Sequence, residues 1–338
     1  MTAARREPKF ALLVLPESTP ASIYGLYEVF QSVGRDWEAL TGEKPAGGRI
    51  QAHIVARDGV PPASRFGVPI FPHQGLGDAD VVIVADLAFP AGSDPRGRWP
   101  VEASWLRERH AAGAMICSVC TGTLMLAEAG LLDGHTVTTH WAIVDLIKRC
   151  YPSVRLAPQR ILTASGEGGQ IVTSGGSSAW ADLALHLVAR FSGGTEAVRA
   201  AKIFLLGDHS EGQLPFAGAR TAQRHDDAVI AQVQRWIVDH YRAQSPVALM
   251  AAHSGLSPRT FARRFRAATG YTPIDYVQTL RIEEAKQLLE SADSPVDEIA
   301  FEVGYEDPNS FRRIFKRLVG ITPARYRQRF ARIARAGL

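Results

Sequence analysis

Short runs of apolar residues alternate with amphipathic segments through the first two thirds of the chain. The apolar runs predict strands at 10–15, 50–56, 81–84, 114–119 and 171–173, with shorter extended pieces at 68–70 and 136–139. The amphipathic segments predict helices at 22–33, 101–112, 122–129, 141–149, 177–190 and 195–205. Continuous apolar strands that alternate with helices are typical of a parallel sheet with helices on both faces. This part of the chain is therefore predicted to be an α/β domain.

The last third of the chain repeats one pattern of glycine and aromatic residues. Gly255, Phe261, Phe265, Gly270 and Tyr276 recur 49 or 50 positions later as Gly304, Phe311, Phe315, Gly320 and Tyr326. Self-similarity at a fixed period indicates a duplicated supersecondary unit. Each copy has the pattern of a helix, a tight turn and a second helix, so an all-α domain with two helix-turn-helix units is predicted.

Six dipeptides of one kind predict where these helices begin. In each, a short oxygen-bearing side chain precedes a proline: Ser245-Pro246, Ser257-Pro258, Thr272-Pro273, Ser294-Pro295, Asp307-Pro308 and Thr322-Pro323. The oxygen accepts hydrogen bonds from unpaired amides at a helix start, and proline at the first helical position lacks an N–H that would have no partner. Gly255 and Gly304, between the helices of each unit, are predicted to take a positive φ.

The second helix of each unit has an apolar face and a basic face. The phenylalanines of each copy are four residues apart, so each pair is predicted to pack inward. The surrounding positions are predicted to contact double-stranded DNA: Arg259, Thr260, Arg263, Arg264, Arg266, Asn309, Ser310, Arg312, Arg313 and Lys316. From residue 311 to the end there are nine Lys or Arg and no Asp or Glu. This run favours a phosphate-contacting surface over a merely solvated helix face.

Charge and spacing both support this prediction. Residues 226–338 carry 17 basic and 13 acidic side chains and the rest of the chain is neutral, so all of the net charge of +4 lies in the predicted DNA-binding part. One helix over 273–290 would span about 27 Å. Paired helix-turn-helix units present their helices to major grooves about one turn, roughly 34 Å, apart.

Composition bounds the class of protein. At 338 residues the chain is long enough for two domains with separate cores. Three cysteines, Cys117, Cys120 and Cys150, are too few for a disulfide framework and fit a reducing cytoplasm. No apolar stretch approaches the roughly 20 residues that span a bilayer. A cytoplasmic, nucleoid-associated protein without a membrane partner is expected. The lone C-x-x-C pair favours neither zinc nor redox chemistry, so no metal and no cofactor are predicted.

One segment of the first domain is a candidate for nucleophilic catalysis. Residues 118–122, Ser-Val-Cys-Thr-Gly, join a predicted strand to a predicted helix, where a nucleophile would project above the sheet edge. The positive end of that helix is expected to lower the pKa of the Cys120 thiol. His140 is a candidate partner base. The alternative is a small buried cysteine at a tight turn.

The second domain resembles a known family. The phrase Phe311-Arg312-Arg313-Ile314-Phe315-Lys316, followed by Gly320-Ile321-Thr322-Pro323 and Tyr326-Arg327, follows the signature of the second unit of AraC-type transcription regulators. This resemblance covers residues 227–330. It implies a sequence-specific DNA-binding domain, placed here at 227–338 after a linker at 207–226.

The first domain resembles the PfpI-like branch of the class I glutamine amidotransferase-like superfamily. The matching positions are Gly25, Glu28-Val29-Phe30, the 118–122 motif, 126–134, Thr138-Thr139-His140-Trp141 and 182–185. With an AraC-type domain behind it, the chain is similar to the GlxA-type regulators. The resemblance implies a flavodoxin-like fold at 1–206 that binds a small metabolite of amino-acid or amine type and forms a homodimer.

The first domain departs from its enzymatic relatives at three positions around the cysteine. Ser22 stands where those relatives have a carboxylate, Ala85-Asp86 replace a glycine pair, and Thr121 replaces a histidine. These changes predict a pocket that kept its shape and lost its catalytic chemistry. The candidate ligand-binding residues are Ser22, Asp86, Cys120, Thr121, His140 and Trp141.

The predicted function is therefore a ligand-responsive transcription regulator and not an enzyme. Asp86 and Trp141 would suit a cationic ligand through charge or cation–π attraction, whereas the alternative is a satisfied surface aspartate and a core tryptophan. Two other functions stay open at this point. One is a cysteine-dependent hydrolase or glyoxalase fused to a DNA-binding domain, and the other is a protein-interaction module.

Overall fold

The chain divides into two compact units. The computed structural model describes residues 6–62, 67–89, 93–207, 209, 211–218 and 225–335. The first unit is Met1–Gln213 and the second is Leu214–Leu338. The predicted linker at 207–226 spans this division, and its residues 208, 210 and 219–224 lie outside the described part.

The first unit is built on a six-stranded sheet with the order β2-β1-β3-β4-β8-β7. Its strands are β1 (Lys9–Leu13), β2 (Gln51–Val55), β3 (Val81–Val84), β4 (Met115–Val119), β7 (Leu162–Ser165) and β8 (Ile171–Ser174). The pairs from β2 to β8 are all parallel, and β7 pairs antiparallel to β8. Two short strands, β5 (Thr136–Val137) and β6 (Arg155–Leu156), form a separate parallel pair. The strand order reverses beside β1, between β2 and β3.

Helices cover both faces of this sheet. They are α1 (Pro20–Ser32), α2 (Asp36–Thr41), α3 (Pro100–Ala111), α4 (Thr123–Glu128), α5 (Val144–Cys150), α6 (Trp180–Ser192) and α7 (Gly194–Phe204). One core cluster joins the sheet to α1, α6 and α7, and a second joins it to α3, α4 and α5. The prediction of a flavodoxin-like α/β fold is confirmed.

Two details of the prediction for this sheet were wrong. The sheet is mixed because of the unpredicted edge strand β7, and residues 68–70 form no strand. Pro69 and Pro72 lack the N–H that a ladder needs, which explains the second difference. The short helix α2 was also not predicted.

The second unit is all helical within the part of the chain that is described. Its helices are α8 (Ala228–His240), α9 (Pro246–Ser254), α10 (Pro258–Thr269), α11 (Pro273–Ser291), α12 (Val296–Glu302), α13 (Pro308–Val319) and α14 (Pro323–Arg335). Helices α9 and α10 form one helix-turn-helix, and α12 and α13 form the other. All four phenylalanines of the repeat are fully buried, as predicted. Helix α11 contributes Val277 to the first core and Leu289 to the second.

Four of the six predicted helix caps are present. The side-chain oxygens of Ser257, Thr272, Asp307 and Thr322 accept amide hydrogen bonds at the starts of α10, α11, α13 and α14. The other two predictions were wrong. Ser245 has a φ of 51° and makes no capping bond, and Pro295 itself occupies the cap before α12, so Ser294 lies outside the helix.

The turn glycines of both helix-turn-helix copies have the predicted positive φ. Gly255 has a φ of 67° and Gly304 a φ of 91°. A Cβ on Gly304 would lie 2.8 Å from the backbone of Arg242. This close approach adds a packing reason for glycine to the conformational one.

Candidate functional site

Cys120 lies on a sharp turn between β4 and α4. Its φ is 57°, a region that non-glycine residues rarely adopt. A short 3₁₀ turn, Cys120–Gly122, leads into α4. An ideal Cβ at Gly122 would lie 2.4 Å from the Val84 carbonyl oxygen, so only glycine allows this turn to pack against the end of β3. The predicted strand-to-helix turn is therefore present.

The Cys120 thiol is buried and held in its neutral form. Its side chain has 4% exposure, and its Sγ lies 3.5 Å from the Ser177 Oγ. Burial raises the pKa of Cys120 to about 11, and the Asp86 carboxylate adds to this effect. The expectation that the helix end would lower this pKa was wrong, because desolvation outweighs a helix of only six residues.

His140 does not act on the thiol in this arrangement. Its Nδ1 accepts a hydrogen bond from the Ala142 amide at 3.1 Å. Burial lowers the pKa of the imidazole, and Asp86 opposes that shift. The Thr139 hydroxyl, not His140, reaches the turn and donates to the Cys120 carbonyl at 2.9 Å. No hydrogen bond joins Cys120 to His140 among the described residues, and the segment that carries His140 is connected to the cysteine turn through Thr139.

Asp86 brings a negative charge to this site. It follows β3, is 5% exposed, and its Oδ1 has no hydrogen-bond partner among the described residues. Its negative charge raises the pKa of the Cys120 thiol and opposes the lowering of the pKa of His140. Thr19, whose amide donates to the Asp86 carbonyl, also has a buried hydroxyl without a partner. A cationic group would satisfy a buried carboxylate, which is costly to leave unpaired.

We use the name Cys120 site for Asp86, Cys120, His140, Trp141 and Ser177. Trp141 is half-buried, and its ring centroid lies 5.2 Å from that of His140. Ser177 was not among the predicted residues. It follows Gly175-Gly176 directly after β8, and a glycine pair at a strand end was the available signal.

Two of the predicted ligand residues, Thr121 and Ser22, are buried, and Thr121 is hydrogen-bonded within the first unit. The Thr121 hydroxyl accepts from the Leu87 amide at 2.7 Å and donates to the Leu87 carbonyl at 2.6 Å. It therefore fastens the segment after β3 to the Cys120 turn. Ser22 lies buried in the first turn of α1, at 2% exposure. Binding of a ligand by Ser22 or Thr121 stays a prediction.

A cavity of about 420 Å³ lies beyond the ends of β1 and β2. Its lining includes Arg57, Glu102, Arg98 and Glu17. These charges are already matched, because Arg57 binds Glu102 through two 2.8 Å bonds and Arg98 binds Glu17 at 2.8 Å. Asp58 also lines the cavity but is exposed to solvent. The Cys120 site differs in holding a buried carboxylate oxygen, Asp86 Oδ1, without a partner among the described residues.

The predicted DNA-contacting side chains fall into two groups. Those exposed on α10 and α13 are Arg259, Arg263, Arg266, Asn309, Arg312, Arg313 and Lys316. Among the described residues, the cationic ends of Arg259, Arg263, Arg266 and Lys316 have no hydrogen-bond or ion-pair partner. Thr260 and Ser310 are half-buried and bond to the capping residues Ser257 and Asp307. Within the first group, the unpartnered ends of Arg259, Arg263, Arg266 and Lys316 are available to a phosphate or a base edge.

Arg264 is committed within the second unit. Its Nε and Nη2 bind the two oxygens of Asp227 at 3.0 and 2.7 Å, and Asp227 also caps α8. The position equivalent to Arg264 in the repeat is Ile314, which packs against the second core. This inward position indicates a structural role for Arg264, so its contact with DNA stays a prediction. Arg312 likewise pairs with Asp297 on α12.

Within the described residues, no group of three or more His, Cys, Asp or Glu side chains is arranged to hold a metal ion. None of the described helices has the length and apolar character that a membrane span requires.

Comparison with known families matches both units. The model of the DJ-1/PfpI family matches residues 37–190. A helix-turn-helix domain model matches residues 250–329. The first match lies within the first unit and the second within the helix-turn-helix repeat of the second unit.

Several known proteins are similar to this chain. The HTH-type transcriptional regulator CdhR of Pseudomonas aeruginosa is 29% identical over 283 residues, which is 81% of each chain. The HTH-type transcriptional regulator GlxA of Rhizobium meliloti is 30% identical over 244 residues, or 71% of this chain and 74% of GlxA. Isonitrile hydratase of Pseudomonas putida is 29% identical over 185 residues, or 55% of this chain and 72% of the enzyme.

Proposed function

Because the chain belongs to the GlxA-like family of AraC-type transcriptional regulators with a DJ-1/PfpI domain, we propose that it regulates transcription in response to a small cationic metabolite. The metabolite, of amine or amino-acid type, binds at the Cys120 site. Helices α10 and α13 bind specific double-stranded DNA in the cytoplasm. A homodimer would read a two-fold symmetric operator, as is common for such regulators.

The buried Oδ1 of Asp86, which has no hydrogen-bond partner among the described residues, is the observation that supports a cationic ligand. The other titratable groups of the site are neutral near pH 7, since burial raises the pKa of Cys120 and lowers that of His140. An ammonium group would therefore meet one negative charge and no positive charge. The indole of Trp141, whose ring contacts that of His140, would add a cation–π surface.

A thermal-shift comparison on the full chain tests this ligand class. Tetramethylammonium is the probe, and tert-butanol serves as a neutral molecule of similar shape. A ligand that binds only the folded state raises the melting temperature. We expect tetramethylammonium to raise it in the wild type and tert-butanol to leave it unchanged.

Asp86→Asn keeps the shape of the side chain and removes its charge, so it should abolish the shift. Asp58→Asn is the matched control, because Asp58 is exposed at the end of β2, outside the Cys120 site. Equal shifts in wild type and Asp86→Asn would count against a cation bound at this carboxylate.

A second candidate function is a cysteine-dependent enzyme fused to a DNA-binding unit. The strained turn at Cys120 and the similarity to isonitrile hydratase favour it. The neutral thiol and the absence of a His140–Cys120 bond among the described contacts favour ligand binding. Cys120→Ser decides between them. If the protein only binds its ligand, the variant keeps ligand-dependent DNA binding. If regulation depends on catalysis by Cys120, the variant loses that dependence.

A further inference from the structure

Gln213, the last residue of the first unit, is bonded to residues 138–141, the segment that we call the wall of the Cys120 site. It is 2% exposed. Its Nε2 donates to the Thr139 carbonyl at 2.7 Å and to the Thr138 hydroxyl at 3.2 Å. Its Oε1 accepts from the Trp141 amide at 3.1 Å. These bonds lie on both sides of His140, so the Gln213 amide holds the backbone that carries His140 and Trp141.

The same wall is bonded to the cysteine turn. The Thr139 hydroxyl donates to the Cys120 carbonyl while the Thr139 carbonyl accepts from Gln213. A continuous chain of hydrogen bonds therefore links the Cys120 turn, Thr139 and Gln213. A displacement of the wall by a ligand must alter the bonds of Gln213 as well.

Two glycines fix Gln213 closely in this position. Gly212 has a φ of 73°, and an ideal Cβ there would lie 2.1 Å from the Gln159 carbonyl oxygen. A Cβ on Gly175 would lie 2.9 Å from the Gln213 Nε2. Because the backbone approaches so closely on both sides, the side chain has little room to follow a shifted wall without losing bonds.

The residues that follow are anchored in the second unit. The Phe216 ring packs edge-on against Phe330 at 5.4 Å, and the Arg329 guanidinium lies 4.6 Å from its centroid. The Ala217 carbonyl accepts from the Nζ of Lys286, a buried residue of α11, at 2.5 Å. Only Leu214 and Pro215 separate the anchor in the first unit from the anchor in the second.

We propose that Gln213 is the residue through which the Cys120 site regulates DNA binding. Its amide senses the position of the His140–Trp141 wall, and the short segment after it passes a change to the anchor at Phe216. The inference rests on the proposed function, because it takes the Cys120 site as the effector site. It adds a coupling residue outside the groups that would touch the ligand.

A double-mutant cycle on DNA affinity tests the inference without any ligand. The four proteins are the full-length wild type, His140→Ala, Gln213→Ala and the double variant, and the DNA is a duplex selected by the wild type. His140→Ala disturbs the wall from inside the site. We expect it to change the Kd for DNA at least about fivefold when Gln213 is present, a shift typical of coupled sites. In the Gln213→Ala background we expect a change below about twofold.

Two further variants keep the test decisive. Gln170→Ala is the matched control, because Gln170 is half-buried in the same unit and outside the Cys120 site, and it should leave the response to His140→Ala intact. Phe216→Ala removes the ring contacts with Phe330 and Arg329 and keeps the Ala217–Lys286 bond. The side chain is 43% exposed, so folding should survive. It should reduce the response to His140→Ala to below about twofold, and it replaces Gln213→Ala if that variant does not fold.

The failures of the two proposals are distinguishable. If tetramethylammonium does not shift the melting temperature, the proposed ligand class is wrong. The double-mutant cycle uses no ligand, so its result on Gln213 is unaffected. An equal effect of His140→Ala in both backgrounds, or no effect in either, would overturn the coupling role of Gln213.

Discussion

Replacing Arg263 with alanine separates DNA contact from support of the fold. Arg263 is exposed on α10, and its equivalent in the repeat, Arg313, is exposed on α13. The Arg263 guanidinium has no partner among the described residues, so its removal should change the free energy of unfolding by less than about 0.5 kcal/mol. Its neighbour Arg264, bound to Asp227 through two hydrogen bonds, provides the contrast.

The expected loss of DNA affinity follows from the kind of contact that Arg263 makes. An arginine that reads a base edge contributes about 1–3 kcal/mol, which corresponds to roughly 5–150-fold in Kd. An arginine that contacts only a phosphate would instead lower the slope of log K against log salt by about 0.9. Arg264→Ala should lower the melting temperature, because it releases the capping residue of α8 from α10.

Fluorescence anisotropy with a labelled duplex, at two salt concentrations, measures both outcomes. The duplex is one selected by the full-length wild type, and a scrambled duplex reports non-specific binding. An unchanged Kd and an unchanged salt slope in Arg263→Ala would refute the reasoning. So would a larger loss of affinity in Arg264→Ala, without a lower melting temperature, than in Arg263→Ala.

Two further predictions concern the first and second units. In a background of Cys117→Ala and Cys150→Ala, iodoacetamide should label Cys120 slowly at pH 7.5 and faster as pH rises toward its pKa of about 11; a mass-spectrometric rate that levels off below pH 8 would contradict the buried thiol. Phe311→Ala should destabilise the second unit by about 3–5 kcal/mol, because it removes a fully buried ring from the second core; urea unfolding of the full chain, with the exposed Phe301→Ala as control, measures the loss.

The sequence was most informative where a local pattern and the tertiary environment agree. The strand at Val81–Val84 is apolar at every position and is buried at every position, so its pattern was unambiguous. The phenylalanine pairs at helical spacing pack inward in both helix-turn-helix copies, as their period requires. In contrast, β7 has the sequence Leu-Thr-Ala-Ser, which carries no clear apolar run. Its strand conformation comes from pairing with β8.

The misjudged site features depend on residues far away in the chain. The local helix end favoured a low pKa at Cys120, but burial by the assembled sheet raises it. Arg264 looked like its neighbours on a basic helix, yet its partner Asp227 lies 37 positions earlier. Gln213 belongs to a segment without a clear period, so no local signal marked it as a residue of the site wall. The repeat did hold one usable signal, because Ile314 replaces Arg264 in the second copy.

Ethylation interference on the selected duplex tests the central claim most directly, namely that both helix-turn-helix units of one chain bind DNA together. The spacer α11 has 19 residues and is therefore about 28 Å long, close to one turn of the duplex. If both helix-turn-helix units bind, ethylation should block binding at two clusters of phosphates per chain, on one face of the DNA and about 10 base pairs apart. A single cluster that Arg263→Ala and Arg313→Ala both erase, or two clusters on opposite faces, would contradict it.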